Sequence, residues 1–530
     1  MKTVGVYLTE LLAGYGVDTV FGIPGVHTVE LYRGLADSPI RHVTARHEQS
    51  LGFMADGYAR VSGKPGVCLV ITGPGLTNIL TAMGQAYADS IPMLVISGVN
   101  ALGKLGSGNG HLHELPNQQA LASQITAFSH TITRPQELPQ VLARAFAVFD
   151  GARPRPVHIE IPLDLMSAAA DGLPAVPARL PRLRRSVAEA AALAQAAQLL
   201  HGARRPLLLV GGGAVAAAEE IRQLAERLQA PTLMTINARG VLPPEHPLGL
   251  FCSASSQAAR QLMRDSDVVL ALGTELGQTD YDAYVDGGFA IPGVLIRLDI
   301  DAQQLFRNRA ADLPLLGDCA ASLQQLLAQW PAGAVASRWE AGRVQQTAQA
   351  AWQELPAGMQ QDIALLQQLR DAVPQALLVG DSTRQVYAGN MGYAAPAVQR
   401  WFNASVGFGA LGYGLPAALG AALASGEPVI CLAGDGGFQF TLAELGSVLE
   451  CEACVVLVLL NNGGYGEIKA AMQAVEVAPL GVDLHNPDFV ALARSYGWQA
   501  HRLSAGEALA PLVQAACERR QPTLIELYEV

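Results

Sequence analysis

Short runs that are apolar almost throughout alternate with longer stretches whose apolar positions recur at helical spacing. The runs include Val17–Phe21, Val43–Ala45, Val67–Ile71 and Met93–Ser97, then Pro206–Val210, Val268–Leu272 and Val294–Asp301. Ala376–Val379, Pro428–Ala433, Val455–Leu460 and Leu524–Val530 complete the series. A strand with one wet face would alternate. Runs apolar on both faces predict strands covered on both sides, as in a parallel sheet between two layers of helices. Helical spacing is seen over residues 3–15, 50–60, 187–200 and 441–449, and from Asn78 onward. Strand and helix take turns, so the expected class is α/β with doubly wound parallel sheets.

The runs fall into three groups. Residues 171–185 are rich in Pro and Arg and read as a linker, and residues 332–356 read as a second linker with a helix leading onward. The expected domains are 1–170, 186–332 and 355–530. The length of 530 residues agrees with that division, since single domains run to ~150–200 residues.

Half of the residues are hydrophobic and 15% are charged, which suffices for large cores. The net charge is −11 with no basic patch, so nucleic acid is not an expected partner. No apolar run reaches the ~18 residues of a membrane span, so no membrane association is expected. The N-terminal residues enter a helix directly and lack a signal-peptide layout. The seven cysteines are scattered, as in a reduced compartment. A cytoplasmic protein is expected. Cys451 and Cys454 form a C-x-x-C, but neither a second pair nor a nearby His completes a zinc site. The strand at Leu524–Val530 is expected to end the chain with no tail or lid after it.

Chemistry concentrates after the strands of the last group. Gly434-Asp435-Gly436-Gly437-Phe438 follows one strand, and Asn461-Asn462-Gly463-Gly464 follows the next. Glycines after a strand let backbone N–H groups approach an anion, with a helix end behind them. Asp435 offers a hard anionic oxygen and Asn462 a neutral amide oxygen, brought together if the strands are adjacent and parallel. A few hard oxygens suit Mg²⁺ that shares its shell with phosphate. The hydroxyls of Ser382 and Thr383, after the strand at 376–379, can bond a diphosphate, or cap the next helix.

In the first group Glu48 lies between a strand and an apolar helix. A carboxylate there is expected to be largely desolvated and held protonated near neutrality; a first-turn Glu favoured by the helix dipole is the plainer alternative. The loop Gly106–Glu114 holds His111 and His113, suited to acid–base work near neutral pH. His47, beside Glu48, is a positioning or proton-transfer candidate, and His27 ranks below it. In the middle group Gly211-Gly212-Gly213 follows a strand, but the full spaced G-x-G-x-x-G is absent.

The paired Gly434-Asp435-Gly436 and Asn461-Asn462 motif, with Glu48 ahead of Ala55-Asp-Gly-Tyr-Ala-Arg60, resembles the thiamine-diphosphate enzymes. The likeness runs along essentially the whole chain, in the order pyrimidine-binding, middle and diphosphate-binding domain. It implies that Asp435, Asn462 and the Gly464 carbonyl hold Mg²⁺ on the diphosphate, with Gly434, Gly436, Gly437 and Tyr465 lining the cofactor. It implies that Glu48 bonds N1′ of the aminopyrimidine and that Leu411, in the loop with Gly409, props the cofactor into its bent shape. Val26, Gln118, Glu467 and Ile468 fall on the substrate side. Asp56 and Arg60 read as structural.

Within the family the chain is most similar to acetolactate-synthase-like 2-oxo-acid decarboxylases, including those acting on guanidino acids. The implied reaction is loss of CO₂ from a 2-oxo acid to leave an aldehyde. A transferase of the acetolactate synthase type, a benzoylformate-decarboxylase-like enzyme and a binding protein without activity are the alternatives. A carboxylate at Glu467 departs from the apolar residue common there and suits a cationic tail such as a guanidinium. In acetolactate synthases the middle domain carries FAD; here Thr274–Thr279 replaces the Arg-rich run of that site, so FAD is not expected. Glu48 is expected from one subunit and Asp435 and Asn462 from another, which makes a dimer the smallest active unit and a tetramer the expected assembly.

Overall fold

The apolar runs become strands of three six-stranded parallel sheets in a computed structural model that describes residues 2–504 and 507–528. The first sheet comprises β1 (Thr19–Gly22), β2 (Arg41–Val43), β3 (Gly66–Val70), β4 (Met93–Val99), β5 (Phe128–Thr131) and β6 (Val157–Pro162). The middle sheet comprises β7 (Pro206–Val210), β8 (Thr232–Met234), β9 (Gly249–Leu250), β10 (Val268–Leu272), β11 (Val294–Asp299) and β12 (Leu313–Leu316). The last comprises β13 (Leu377–Gly380), β14 (Trp401–Asn403), β15 (Val429–Gly434), β16 (Val455–Asn461), β17 (Gln499–Arg502) and β18 (Thr523–Tyr528). The expected strand at 524–530 is thus seen as β18, while Glu529 and Val530 lie outside the described residues.

Strand order divides the sheets into two kinds. The first runs β2-β1-β3-β4-β6-β5, and the last repeats it as β14-β13-β15-β16-β18-β17. The middle sheet runs β12-β11-β10-β7-β8-β9, the order of dinucleotide-binding folds. In open sheets of this type a ligand crevice opens beyond the strand ends where the order reverses. That point lies between β1 and β3, between β7 and β10, and between β13 and β15.

The chain divides into two compact units. One contains Met1–Leu183, Val379–Thr383 and Asn403–Val530; the other contains Arg184–Leu378 and Arg384–Phe402. In the first, helix Glu48–Ser62 packs on helix Gly414–Ser425 at a distance only small residues allow. A Cβ on Gly57 would lie 2.1 Å from the Ala417 carbonyl oxygen, and one on Gly420 would lie 1.9 Å from that of Met54. This crossing fixes the helix that begins with Glu48.

Strand β6 departs from the apolar pattern. Val157-His-Ile-Glu-Ile-Pro162 alternates, yet all of it is buried. Its polar residues are satisfied inside: His158 lies between the hydroxyls of Ser97 at 2.9 Å and Ser129 at 2.7 Å, and Glu160 accepts from Thr131 at 2.6 Å. Burial pushes the His158 pKa down to about 3, so this imidazole stays neutral. The helix expected over 441–449 is a 3₁₀ turn, Leu442–Glu444, followed by helix Leu445–Glu450. Among the described residues no helix is long and apolar enough to cross a membrane.

Candidate active site

Strands β15 and β16 pair in parallel with Gly434 opposite Leu460, which sets the two turns side by side. Asp435 is 1% exposed. Its Oδ2 accepts from Asn486 Nδ2 at 2.6 Å, and its Oδ1 meets the backbone N–H of Asn462 at 3.4 Å. A Cβ on Gly436 would fall 2.7 Å from the Tyr465 ring and 3.6 Å from the Gly464 carbonyl oxygen. Asp435, Asn462 and Gly464 are therefore brought to one place. The two asparagines differ. Asn461 is buried and donates to Glu526 at 2.7 Å, whereas Asn462 is exposed and its Oδ1 accepts from Gly464 N–H at 3.2 Å. The turn is braced by a second segment: Gly464 bridges Asp483 in antiparallel fashion, and Tyr465 N–H donates to Val482 at 2.8 Å.

Across the crevice, the turn after β13 presents half-buried Ser382 and Thr383, and a Cβ on Gly434 would lie 3.3 Å from Thr383 Oγ1. Asp381 anchors this turn. Its buried carboxylate accepts the N–H groups of Ser382 at 2.8 Å, Gly412 at 3.2 Å and Gly414 at 3.1 Å. It also stands 3.1 Å from where a Gly437 Cβ would be. Burial pushes its pKa up to about 6, although all three N–H groups pull it down. Asp381 thus ties the Ser382 turn to the loop holding half-buried Leu411 and exposed Gly409.

Glu48 is the first residue of its helix. His47 precedes it as the cap, with Nδ1 accepting from Gln49 N–H at 3.1 Å. The Glu48 carboxylate accepts from Asn78 Nδ2 at 2.9 Å and is half-buried, less desolvated than its sequence setting suggested. Asp435, Asn462 and Gly464 are not among its hydrogen-bond partners within the described residues. The corner is pinned from the last domain: buried Glu444 accepts the Arg46 N–H at 3.0 Å, and Arg46 pairs with Glu450 at 2.5 Å. Gln49 Nε2 reaches the Leu411 carbonyl at 3.4 Å.

The strand ends of the first sheet gather the histidines. His27 is buried beyond β1, and its ring centroid lies 5.1 Å from that of His113. Burial, and then His113, lowers the His27 pKa. His27 Nδ1, His113 Nδ1 and Thr72 Oγ1 are buried without a hydrogen-bond partner among the described residues. Half-buried His111 borders an open cleft of about 370 Å³ with Gly106, Gly108, Gly110, Glu114 and Pro116. Glu114 shapes that loop by accepting the N–H groups of Gly108 at 2.7 Å and His111 at 3.0 Å. Val26 is exposed. Gln118 is buried and fully engaged: it accepts from Gly73 N–H at 2.8 Å and donates to Ser97, Gly98 and Glu160. It shapes the loop rather than offering a free amide. Glu467 and Ile468 are exposed on helix Gly466–Ala474.

Profiles of thiamine pyrophosphate enzymes match in three successive blocks: the N-terminal TPP binding domain over residues 2–121, the central domain over 193–326 and the C-terminal TPP binding domain over 379–527. A probable 2-ketoarginine decarboxylase of Pseudomonas aeruginosa is 46% identical over 99% of this chain and 94% of its own. A probable acetolactate synthase large subunit of Methanocaldococcus jannaschii is 31% identical over 98% of this chain and 90% of its own. An acetolactate synthase isozyme 2 large subunit of Escherichia coli is 30% identical over 98% and 94%. The chain belongs to the thiamine pyrophosphate enzymes.

The residues present fit that cofactor. A glycine-rich turn, two hydroxyls and a buried carboxylate with one oxygen lightly bonded meet at the crevice between β13 and β15. Among the described residues no group of three or more His, Cys, Asp or Glu side chains is set to hold a metal. In this thiamine pyrophosphate enzyme the turn beside Asp435 carries the Asn462 amide and the Gly464 carbonyl. Asp381, Asn486, Asn78, Glu444 and Thr72 were not read from sequence as site residues. Asp381 had a local signal, a carboxylate in the turn after a strand. Asn486, Asn78 and Glu444 meet their partners through long-range packing, and Thr72 is a buried hydroxyl without a partner among the described residues.

Proposed function

We propose that this thiamine pyrophosphate enzyme is a Mg²⁺-dependent 2-oxo-acid decarboxylase that favours an acid with a cationic tail, 5-guanidino-2-oxopentanoate foremost. The observation behind the substrate choice is Glu467. It is exposed on the first turn of the helix after Asn462–Gly464 and makes no ion pair among the described residues. A carboxylate there matches a guanidinium fork in charge and geometry. The name of the relative at 46% identity points the same way.

Bound thiamine diphosphate supplies an electron sink for the bond that breaks as CO₂ leaves. Asp435, Asn462 Oδ1 and the Gly464 carbonyl hold Mg²⁺, while Ser382 and Thr383 donate to the diphosphate. Glu48, oriented by Asn78, holds a proton at N1′ of the aminopyrimidine. Leu411 shapes the space for the rings. His27, Thr72 and His113 offer unpaired polar atoms to the polar end of the acid. A second copy of the chain covers Glu48 and completes its desolvation, so the active unit is a dimer, assembled as a tetramer in the cytoplasm. The middle domain carries no FAD; the Gly213 N–H that would face a pyrophosphate donates to Gly273 O at 3.1 Å.

The acetolactate synthases among the relatives support a second reading, carboligation. CO₂ release from 5-guanidino-2-oxopentanoate, benzoylformate and pyruvate, with the organic product identified in each case, tests both. The decarboxylase reading expects the guanidino acid to be preferred. It also expects Glu467→Ala to lower kcat/KM for that acid by roughly 10–100-fold, the worth of a charged hydrogen bond, without affecting pyruvate. Acetolactate from pyruvate as the main product would favour the second reading. An equal loss on all substrates would remove Glu467 as the anchor.

A further inference from the structure

Asn486 makes contact with the carboxylate on which the site depends. It lies 51 residues after Asp435 in sequence and donates through Nδ2 to Asp435 Oδ2 at 2.6 Å. The same nitrogen donates to Asn461 Oδ1 at 2.9 Å. At its other end, Oδ1 accepts from Gln439 Nε2 at 3.0 Å. Both ends of the amide are thus fixed. Turning it over would set Nδ2 against the Gln439 donor and Oδ1 against a carboxylate.

The two oxygens of Asp435 are therefore unequal. Oδ2 is taken by a short bond to a neutral donor. Oδ1 has the N–H of Asn462 at 3.4 Å and no closer hydrogen-bond donor among the described residues. We infer that Asn486 is a positioning residue that withholds one Asp435 oxygen and leaves the other for the metal, so that this carboxylate binds through a single atom. The inference rests on the reading of Asp435 as a Mg²⁺ ligand given above.

Single-atom binding matters for the choice of ion. Mg²⁺ demands a near-ideal octahedron and takes one oxygen per carboxylate. Ca²⁺ is larger, accepts irregular shells and often takes both. A carboxylate locked by Asn486 suits the smaller ion; one free to turn loses that bias. Gln439 acts one step further out, by fixing the amide of Asn486.

The test is thiamine diphosphate binding to the metal-stripped full-length protein, followed by calorimetry with Mg²⁺ or Ca²⁺. Wild type, Asn486→Ala, Gln439→Ala and Asp435→Ala are compared, with melting temperatures taken without metal. In Asn486→Ala, Mg²⁺-supported affinity should fall by about 10–100-fold, as for other outer-shell partners of a metal ligand. Ca²⁺-supported affinity should fall less, so the preference for Mg²⁺ shrinks. Gln439→Ala should shift the preference in the same direction by less, and it keeps the test available if Asn486→Ala does not fold. Equal changes with both ions, or no change in either variant, would overturn the inference. Wild type that binds the cofactor equally well without metal, or without Asp435, would instead overturn the metal reading and the inference with it.

Discussion

The middle and the last sheets each carry a glycine-rich turn where their strand order reverses, yet the two turns make different bonds. After β7, Gly211–Gly213 closes on the end of β10. Gly213 N–H donates to Gly273 O at 3.1 Å, and a Cβ on Gly211 would lie 2.3 Å from that same oxygen. Above it, the buried guanidinium of Arg297 donates to the carbonyls of Thr274 at 2.9 Å, Arg307 at 2.7 Å and Arg309 at 2.8 Å. After β15, the same kind of run inserts a carboxylate, and the opposite turn is held by Asp381 from behind. A buried cation, Arg297, gathers carbonyls beside one turn, while a buried carboxylate, Asp381, gathers N–H groups beside the other. Two glycine runs after strands thus differ in what their neighbours bond.

The strongest way to break this contrast is to remove the carboxylate. Asp435→Ala should cost more in cofactor affinity and activity than the roughly 10–100-fold of an outer-shell loss, with little change in melting temperature. A variant that still bound cofactor tightly would place the diphosphate elsewhere.

Asp381→Ala comes next. It strands three backbone N–H groups, and a cost of about 2–4 kcal/mol is expected in denaturant unfolding, with weakened cofactor binding. Asp381→Asn, which keeps an acceptor, should recover part of both.

A pair of glycine substitutions separates the two crevices. Gly211→Ala forces backbone apart and should cost about 1–3 kcal/mol or more of stability, leaving cofactor affinity per folded molecule unchanged. Gly436→Ala presses on the Tyr465 ring, which can turn aside, and should do the reverse: cofactor affinity lower by about tenfold, stability nearly kept. If both behaved alike, the distinction between the two turns would fail.

The remaining effect is a pH dependence. The Asp89 side chain is buried and bonded to Arg60 and Gln85, and its pKa is pushed up to about 6 by burial. Because that value lies above its ordinary one, the protonated form favours the folded state. The favourable contribution is complete below about pH 4 and is lost as pH rises through 6. Asp89→Asn should therefore gain on wild type between pH 4 and 7, by roughly 2–3 kcal/mol at most. Parallel stability curves would contradict this.

Much of this was legible in sequence because parallel strands buried on both faces are unbroken apolar runs; β7 and β10 begin and end where those runs do. Strand β6 was hidden because its His158 and Glu160 look like solvent positions until Ser97, Ser129, Thr131 and Gln118 are folded around them. The turn at Asp435 and Glu48 carried motifs. Asn78, Glu444 and Asn486 did not, because their partners lie 30, 398 and 51 residues away. Sequence singled out the motif residues better than the residues that bond to them.

One titration bears most directly on the account. Thiamine diphosphate is added to metal-stripped wild type and to Asp435→Ala, each with and without Mg²⁺. Saturable binding to wild type that needs Mg²⁺, and its loss in Asp435→Ala, is the predicted result. Binding of equal strength in all four cases would contradict it.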